Sequence, residues 1–314
     1  MKEVSFEQIQ NLGITPADCV EWARTVIKNK NKYVLPHKIS ITYGDNCYFN
    51  TMPSYIPEMN LFGVKVVSRI PNRTPALQGD ILLYDSVSGE LLTFMDGTWI
   101  TAWRTAAIAA ITVDKLKKAD TKSISIMGLG NIGRAFVLCL DSIYNHSELN
   151  FRILAYKDQH NQFIERFKEY KNIHFEVYSD AKELIRDSEV IVSCVTAKDD
   201  LWADEQDFKP GVLVVPVMTR GFQNCDLAFD RIFCDDIPHI SGFKYFNQYK
   251  NVTEMTDVLN DYTFERGGQN VYLRTTLEYR YKTFFSPQKY FHDYRKKREN
   301  VYSKKSSGCD VWMR

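Results

Sequence analysis

The segment SISIMGLGNIGRAF, residues 123–136, decides the fold. An apolar strand-like run ends at a glycine-rich turn, and a helix-like run follows at once. The turn matches the pattern G-x-G-x-x-G in the strand–turn–helix setting that gives this pattern its meaning. Its first glycine allows the tight turn, its second lets the backbone approach a pyrophosphate, and its third lets helix and strand pack closely. We predict phosphate-binding positions at Gly128, Gly130, Asn131, Ile132 and Gly133. The alternative is a glycine-rich turn that holds no nucleotide.

Strands and helices alternate after this segment. Further strand-like runs are FRILAY (151–156), EVIVSCV (189–195), GVLVVPV (211–217) and RIFCDD (231–236). Helix-like runs lie at 131–145 and 162–170. Continuous apolar runs are typical of buried parallel strands, and repeated strand–helix units indicate a doubly wound sheet. We therefore predict an α/β Rossmann domain over residues 119–250.

The residues before it have a different pattern. Residues 3–30 are predicted to be helical, with a second helix starting at Thr15 and Pro16. Strand-like runs then follow, KISITY (38–43), GVKVVSRI (63–70), DILLYD (80–85) and ELLTFMD (90–96). The last two are separated by SVSG, which indicates a hairpin. We predict an α+β domain over 1–118 into which the Rossmann domain is inserted, with 251–314 returning to it.

One arginine interrupts the small-residue helix DGTWITAWRTAAIAAI, residues 96–111. Removing the guanidinium of Arg104 from water without a partner costs several kcal/mol. Either an Asp or Glu of this chain pairs with it, or it faces a cleft that receives an acidic ligand.

Composition excludes several classes of function. The chain has 314 residues, of which 44% are hydrophobic and 25% charged, and its net charge is +1. Such a balance is typical of a soluble globular protein and gives no reason to expect binding to nucleic acid or a membrane. The seven cysteines show no metal-ligand spacing and indicate a reducing compartment. Because no secretion signal or membrane-spanning run is found, we expect a cytoplasmic location.

The second strand of the Rossmann unit ends in LAYKDQH, residues 154–160. Asp158 could accept hydrogen bonds from the ribose of NAD, whereas Lys157 would favour the 2′-phosphate of NADP. Both NAD and NADP fit this segment.

Several segments together resemble the ornithine cyclodeaminase/mu-crystallin family, over roughly residues 30–265. They are MPSY (52–55), GVKVVS (63–68), LLYDSVSGELLTFMDGTWITAWRTAA (82–107), MGLGNIG (127–133) and VTA (195–197). The resemblance implies a homodimer formed through the first domain and a nicotinamide cofactor, NAD or NADP. It also implies hydride transfer at the α-carbon of an amino acid or its imine, so the substrate is a small amino acid, imine or keto acid.

The resemblance also assigns roles by position. Arg104 matches the arginine that binds the substrate carboxylate, and Lys38 falls where the family has a second carboxylate-binding arginine, after a proline. Lys65 matches the lysine beside the reacting carbon; its alternative is an exposed strand lysine. Desolvation between apolar strands would suit such a lysine for proton transfer. Thr196 falls near the nicotinamide end.

Two positions depart from the family pattern. The catalytic acid of the family is replaced by Arg220, which argues against ornithine cyclisation and suits a substrate with a further carboxylate. A threonine of the cyclodeaminases falls at Gly79. We therefore expect an oxidoreductase with a changed substrate, with ornithine cyclodeaminase proper and a non-catalytic NAD(P)-holding protein as alternatives.

The C-terminal segment is anomalous. Residues 269–314 hold 11 Lys and Arg against 4 Asp and Glu. Codons can be chosen for residues 270–291 that, read from one base earlier, encode ERILAYNIGISLQDIFFAAKIF, which resembles the family's returning helix. We hypothesise a frame slip near Gly268 that impairs dimerisation and activity. The alternative is a basic, partly disordered tail for an anionic partner.

Overall fold

The computed structural model describes residues 2–45, 47–195, 205–217 and 222–273. Its strands are β1 (Lys2–Val4), β2 (Ile39–Tyr43), β3 (Cys47–Ile56), β4 (Leu61–Arg69), β5 (Leu77–Asp85), β6 (Leu91–Asp96), β7 (Ile124–Met127), β8 (Leu149–Leu154), β9 (Ile173–Tyr178), β10 (Val190–Ser193), β11 (Leu213–Pro216), β12 (Arg231–Cys234), β13 (Val252–Glu254) and β14 (Val271–Leu273). Its α-helices are α1 (Phe6–Gln10), α2 (Pro16–Lys28), α3 (Thr98–Leu116), α4 (Asn131–Ile143), α5 (Gln159–Glu165), α6 (Ala181–Asp187), α7 (Ile237–Ile240) and α8 (Met255–Asn260).

The first sheet is mostly antiparallel. Over the described residues it has six strands in the order β1-β6-β5-β4-β3-β2, and β1 pairs with β6 in parallel. The predicted hairpin is confirmed, because β5 and β6 pair in antiparallel fashion. The prediction of helix from residue 3 is wrong at its start, because residues 2–4 form the edge strand β1 and the first helix begins at Phe6.

Helix α2 begins where the sequence predicted. The Thr15 side chain accepts a hydrogen bond from the Asp18 amide, and the Asp18 carboxylate accepts one from the Thr15 amide at 2.9 Å. This capping box and Pro16 in the first turn fix the helix start.

Helix α3 joins the two domains. It packs against α2 on one side and α4 on the other. Its alanines at 106, 107, 109 and 110 are fully buried. Side chains this small allow neighbouring helices to approach closely.

The second sheet is parallel throughout its described strands. Its order is β13-β12-β14-β11-β10-β7-β8-β9. The chain runs from β7 to β8 and β9 on one side and then returns to β10 on the other side of β7. Ligands of doubly wound sheets bind at the carboxyl ends of strands where the order reverses. Here that point lies between β7 and β10, and the predicted Rossmann fold is confirmed.

The sheet extends beyond the predicted boundary at residue 250, because β13 and β14 both pair in it. Between them, α8 contacts the first domain, where the Thr256 hydroxyl donates to the Ile27 carbonyl at 3.1 Å. Strand β14 then inserts between β11 and β12. The frame-slip hypothesis concerns residues from 269 onward, and those from 274 onward lie outside the described residues.

A buried ion cluster links the domains. Lys30 Nζ lies 2.6 Å from Asp236 Oδ1 and 2.6 Å from Glu254 Oε2. The Lys30 and Asp236 side chains are 8% and 1% exposed. Loss of the lysine would remove the cation that two carboxylates share, so this contact helps to fix the relative position of the domains. Among the helices of the described chain, none has the length and apolarity to cross a bilayer.

Candidate functional site

The glycine loop has the geometry of a phosphate site. Gly128 has φ +96°, and a Cβ there would lie 2.7 Å from the Cys194 carbonyl carbon. A Cβ on Gly133 would lie 2.5 Å from the Gly128 oxygen. Gly130, by contrast, has no heavy atom within 4 Å of a Cβ position. The first and third glycines are required by the fold, while the second leaves open space that a ligand can approach.

The start of α4 is ready to bind an anion. Gly130 is its N-cap residue and provides no side-chain cap. The first N–H groups of the helix, which begins at Asn131, therefore point towards that open space with the positive end of the helix dipole.

A cleft of about 770 Å³ lies beside this loop. The loop residues Gly130, Asn131, Ile132 and Gly133 form one wall. The other lining residues come from β2 and its flanks, from β3 and β4, from the start of β5 and the residues before it, from the first two turns of α3, and from the residue after β10. They are Lys38, Ser40, Thr42, Gly44, Cys47, Tyr48, Asn50, Arg69, Pro75, Ala76, Leu77, Thr98, Thr101, Ala102 and Cys194. The cleft thus lies between the two domains at the carboxyl ends of the parallel strands.

Lys65 lies directly behind this lining. It is fully buried, so the alternative of an exposed strand lysine is wrong. Its amine donates a hydrogen bond to the hydroxyl of Thr101, which lines the cleft. The Thr101 hydroxyl in turn donates to the Gly97 carbonyl at 2.5 Å. Lys65 and Thr101 therefore form a buried polar pair at the wall of the cleft.

Arg104 lies one helical turn after Thr101. Residues three apart share a helix face, but of α3 the residues lining the cleft are Thr98, Thr101 and Ala102. The residue is 1% exposed. Lys65 contacts α3 at Thr101, and Arg104 lies one turn further along the same helix. Their roles in substrate binding stay predictions.

Gly79 is part of the same constellation. A Cβ at this position would lie 3.2 Å from Lys65 Cε and 3.4 Å from the Thr101 hydroxyl oxygen. A larger residue here would press on the Lys65 side chain. The departure at Gly79 thus enlarges the space around the buried amine.

Strand β2 presents its polar side chains to the cleft. Ser40 and Thr42 line it, together with Lys38 just before the strand, whereas Ile39 and Ile41 are 64% and 58% exposed. Successive side chains of a strand point to opposite faces of the sheet. In β2 the polar side chains face the cleft and the apolar side chains face away from it. Lys38 therefore reaches the cleft in which the sequence predicted it to act.

The residues predicted to select the cofactor lie at the tip of β8. Both Lys157 and Asp158 are exposed. Lys157 has φ +49° and its amine lies 5.4 Å from the centre of the Tyr156 ring. Asp158 accepts hydrogen bonds from Asn161 at 2.8 Å and from Gln162 at 3.2 Å, and these lower the pKa of its carboxyl group. Asp158 is therefore an ionised acceptor at neutral pH.

Two predicted site residues, Thr196 and Arg220, lie outside the described residues. Cys194, which sequence reasoning did not select, lines the cleft next to the glycine loop. Burial raises the pKa of its thiol to about 12, so the thiol stays protonated at neutral pH. It contributes packing rather than a nucleophile.

Sequence reasoning missed several lining residues. Thr101 was part of the quoted arginine segment but had no assigned role. Arg69, Tyr48 and Asn50 belong to strand ends whose inward face the alternation pattern could not identify. In KISITY every second residue is polar, and this pattern could have indicated that one face of β2 lines a polar cleft.

The sequence of this chain matches a known family. The family model "Ornithine cyclodeaminase/mu-crystallin family" matches residues 7–233. The chain belongs to the ornithine cyclodeaminase/mu-crystallin family, which confirms the resemblance seen in the sequence.

Named relatives are distant. Nodulation efficiency protein NfeD of Rhizobium meliloti is 24% identical over 233 residues, covering 72% of each chain. A Delta(1)-pyrroline-2-carboxylate reductase of Bacillus cereus is 23% identical over 217 residues, or 65% of this chain and 64% of that protein. The chain thus matches about two thirds to three quarters of the length of these relatives.

A solved structure has the same fold. Thermococcus litoralis Delta(1)-pyrroline-2-carboxylate reductase, in complex with NADH and L-proline, superposes with a TM-score of 0.78 at 19% identity. The match covers 92% of this chain and 95% of that chain.

Proposed function

We propose that this chain is an NAD(P)-dependent oxidoreductase that transfers a hydride at the α-carbon of a small amino acid or its imine. The observation that carries the proposal is one cleft lined by a free helix N-terminus with a glycine loop on one side and Thr101 of the Lys65 pair on the other. The NADH and L-proline bound to the Thermococcus litoralis reductase support this chemistry.

The glycine loop fits the pyrophosphate of a dinucleotide. Gly130 leaves the approach open, and the N–H groups at the start of α4 can bind phosphate oxygens. Asp158 or Lys157 would contact the adenosine ribose, and Thr196 is proposed for the nicotinamide end. When bound, the nicotinamide supplies or accepts the hydride.

The chain's own residues bind the substrate and move the proton. Arg104 and Lys38 hold the α-carboxylate, because a guanidinium binds a carboxylate through two parallel hydrogen bonds and an amine adds charge. Lys65 lies behind Thr101 and delivers a proton to the substrate nitrogen during imine reduction, or takes it during amine oxidation. The net change is one hydride at carbon and one proton at nitrogen.

A homodimer is the proposed assembly. The outward face of the first sheet carries exposed apolar side chains of β2, β3 and β4, which are Ile39, Ile41, Tyr43, Phe49 and Phe62. Ile41 and Phe49 are cross-strand neighbours, so the patch is continuous there. Large exposed apolar patches mark interaction surfaces. Sedimentation of wild-type protein and of an Ile41→Glu variant tests this, since the variant should be monomeric.

The alternative is a protein that holds the nucleotide without turnover. Arg220 in place of the family's catalytic acid favours it. Titration of NADH and NADPH fluorescence measures binding, and absorbance at 340 nm with a panel of imines, amino acids and keto acids measures turnover. Binding with turnover supports the oxidoreductase, binding without turnover the alternative, and no binding contradicts both.

The frame-slip hypothesis needs the gene. If reading one base earlier from codon 269 restores a helix of the family type, the corrected chain should dimerise more tightly and turn over faster than this one. If no one-base shift does so, the hypothesis fails.

A further inference from the structure

The wall of the cleft opposite the glycine loop contains a polar row across neighbouring strands. Thr42 pairs with Tyr48 and Tyr48 with Arg69, and Arg69 pairs with Leu77. All four of these residues line the cleft. Adjacent strands lie about 4.8 Å apart, so the row forms one compact surface.

The charge of this wall suits an anion. Lys38 and Arg69 are cationic, and the described residues that line the cleft include no Asp or Glu. Lys65 and Arg104 are two further basic residues, both fully buried. A substrate with a single carboxylate uses Arg104 and Lys38, while Arg69 is separate from that pair.

The spacing separates Arg69 from the reacting centre. Lys65 and Arg69 are four residues apart on β4, so they point to the same face with their Cα atoms about 13 Å apart. Because both side chains are long, the distance between their charged ends can be shorter than the distance between their Cα atoms. This separation along β4 favours a substrate whose second acid group lies a few carbon atoms from the α-carboxylate.

We propose that Arg69, supported by the hydroxyls of Tyr48 and Thr42, is a specificity-determining residue that binds the distal carboxylate of a dicarboxylic keto acid, imine or amino acid. This inference rests on the proposed function for the reaction itself. A planar guanidinium on a polar row gives bidentate recognition that a neutral side chain on the substrate cannot use.

The test compares matched ligands on the dinucleotide-bound protein. Oxaloacetate, 2-oxoglutarate and 2-oxoadipate are compared with monocarboxylic keto acids of the same chain length. Ammonium and NADH are supplied for turnover, in which keto acid, ammonium, NADH and a proton give amino acid, NAD⁺ and water. Quenching of NADH fluorescence gives the Kd of each keto acid independently of turnover.

The wild type should prefer a dicarboxylic ligand. Arg69→Gln should weaken its binding or kcat/KM by about 10- to 100-fold, because a charge-assisted hydrogen bond is lost. The monocarboxylic ligands should change by less than about threefold by the same reasoning, and Arg69→Lys should restore part of the loss. Arg166→Gln, an exposed change at the end of α5, is the matched control and should have no effect.

Other outcomes overturn the inference. Equal losses for both ligand sets, or a raised Kd for NADH itself, would assign Arg69 to the cofactor or to the fold. If keto acids bind with the expected selectivity but no turnover occurs, the proposed function fails while the role of Arg69 stands. If turnover occurs with no preference for a second carboxylate, the reverse holds.

Discussion

Replacing Gly130 and Gly133 one at a time by alanine separates binding of the dinucleotide from folding of the loop. The two glycines lie three residues apart in the same turn, yet their surroundings differ. A Cβ at 130 meets no heavy atom within 4 Å, whereas a Cβ at 133 lies 2.5 Å from the Gly128 oxygen. The same substitution should therefore have two different effects.

At residue 133, the Gly128 carbonyl must move by about 0.9 Å, the difference between 2.5 Å and ordinary contact at 3.4 Å. Overpacking of this kind costs about 1–3 kcal/mol. Each kcal/mol lost from the free energy of unfolding lowers Tm by about 2–4 °C in a protein of about 150–250 residues. Binding of the dinucleotide should weaken too, because the moved carbonyl belongs to the loop.

At residue 130, φ is −84°, which alanine adopts without strain. The free energy of unfolding should stay within about 0.5 kcal/mol of the wild type. The added methyl group nevertheless occupies space that a pyrophosphate approaches. Loss of one charge-assisted hydrogen bond, about 1.5–3 kcal/mol, would raise the Kd of the dinucleotide by about 10- to 150-fold.

Fluorescence titration with NADH and NADPH measures the Kd, and differential scanning fluorimetry without ligand measures Tm. Gly133→Ala should lower Tm, and Gly130→Ala should leave it unchanged while weakening binding. Wild-type affinity in Gly130→Ala would refute the placement of phosphate at this loop. Equal losses of Tm would refute the distinction between the two glycines.

Four further predictions address other parts of the molecule. Lys65→Ala should lower kcat by about 10²- to 10⁴-fold with little change in KM, as expected for a proton-transfer group. Arg104→Ala should chiefly raise KM. Steady-state kinetics that show the reverse pattern would contradict both roles. Asp158→Ala should weaken the binding of NADH more than that of NADPH in the fluorescence titration. An equal change in both Kd values would show that this carboxylate does not contact the ribose. Lys157→Ala should weaken the binding of NADPH more than that of NADH. An unchanged affinity for NADPH would show that this lysine does not select the cofactor. Lys30→Met should lower the free energy of unfolding by about 3–5 kcal/mol, because two carboxylates lose their cation; chemical denaturation with an unchanged midpoint would show that the ion cluster is dispensable.

Sequence was sufficient where the signal is local. The glycine loop, the alternation of strands and helices, and the helix start at Thr15 and Pro16 all depend on backbone conformations that neighbouring residues impose. Position within the family pattern then selected Arg104 and Lys65 as candidate site residues. The structure shows that both are buried and that Lys65 bonds to Thr101 of α3.

Tertiary structure alone decided which face of β2 lines the cleft, that Arg69 belongs to its wall, and that β14 inserts between β11 and β12. Alternation along a strand shows that two faces differ but not which one meets the core. That choice depends on what packs against each face, and strand order depends on pairing between segments far apart in the chain. Contacts of this kind exist only after folding, so no local pattern in the sequence could specify them.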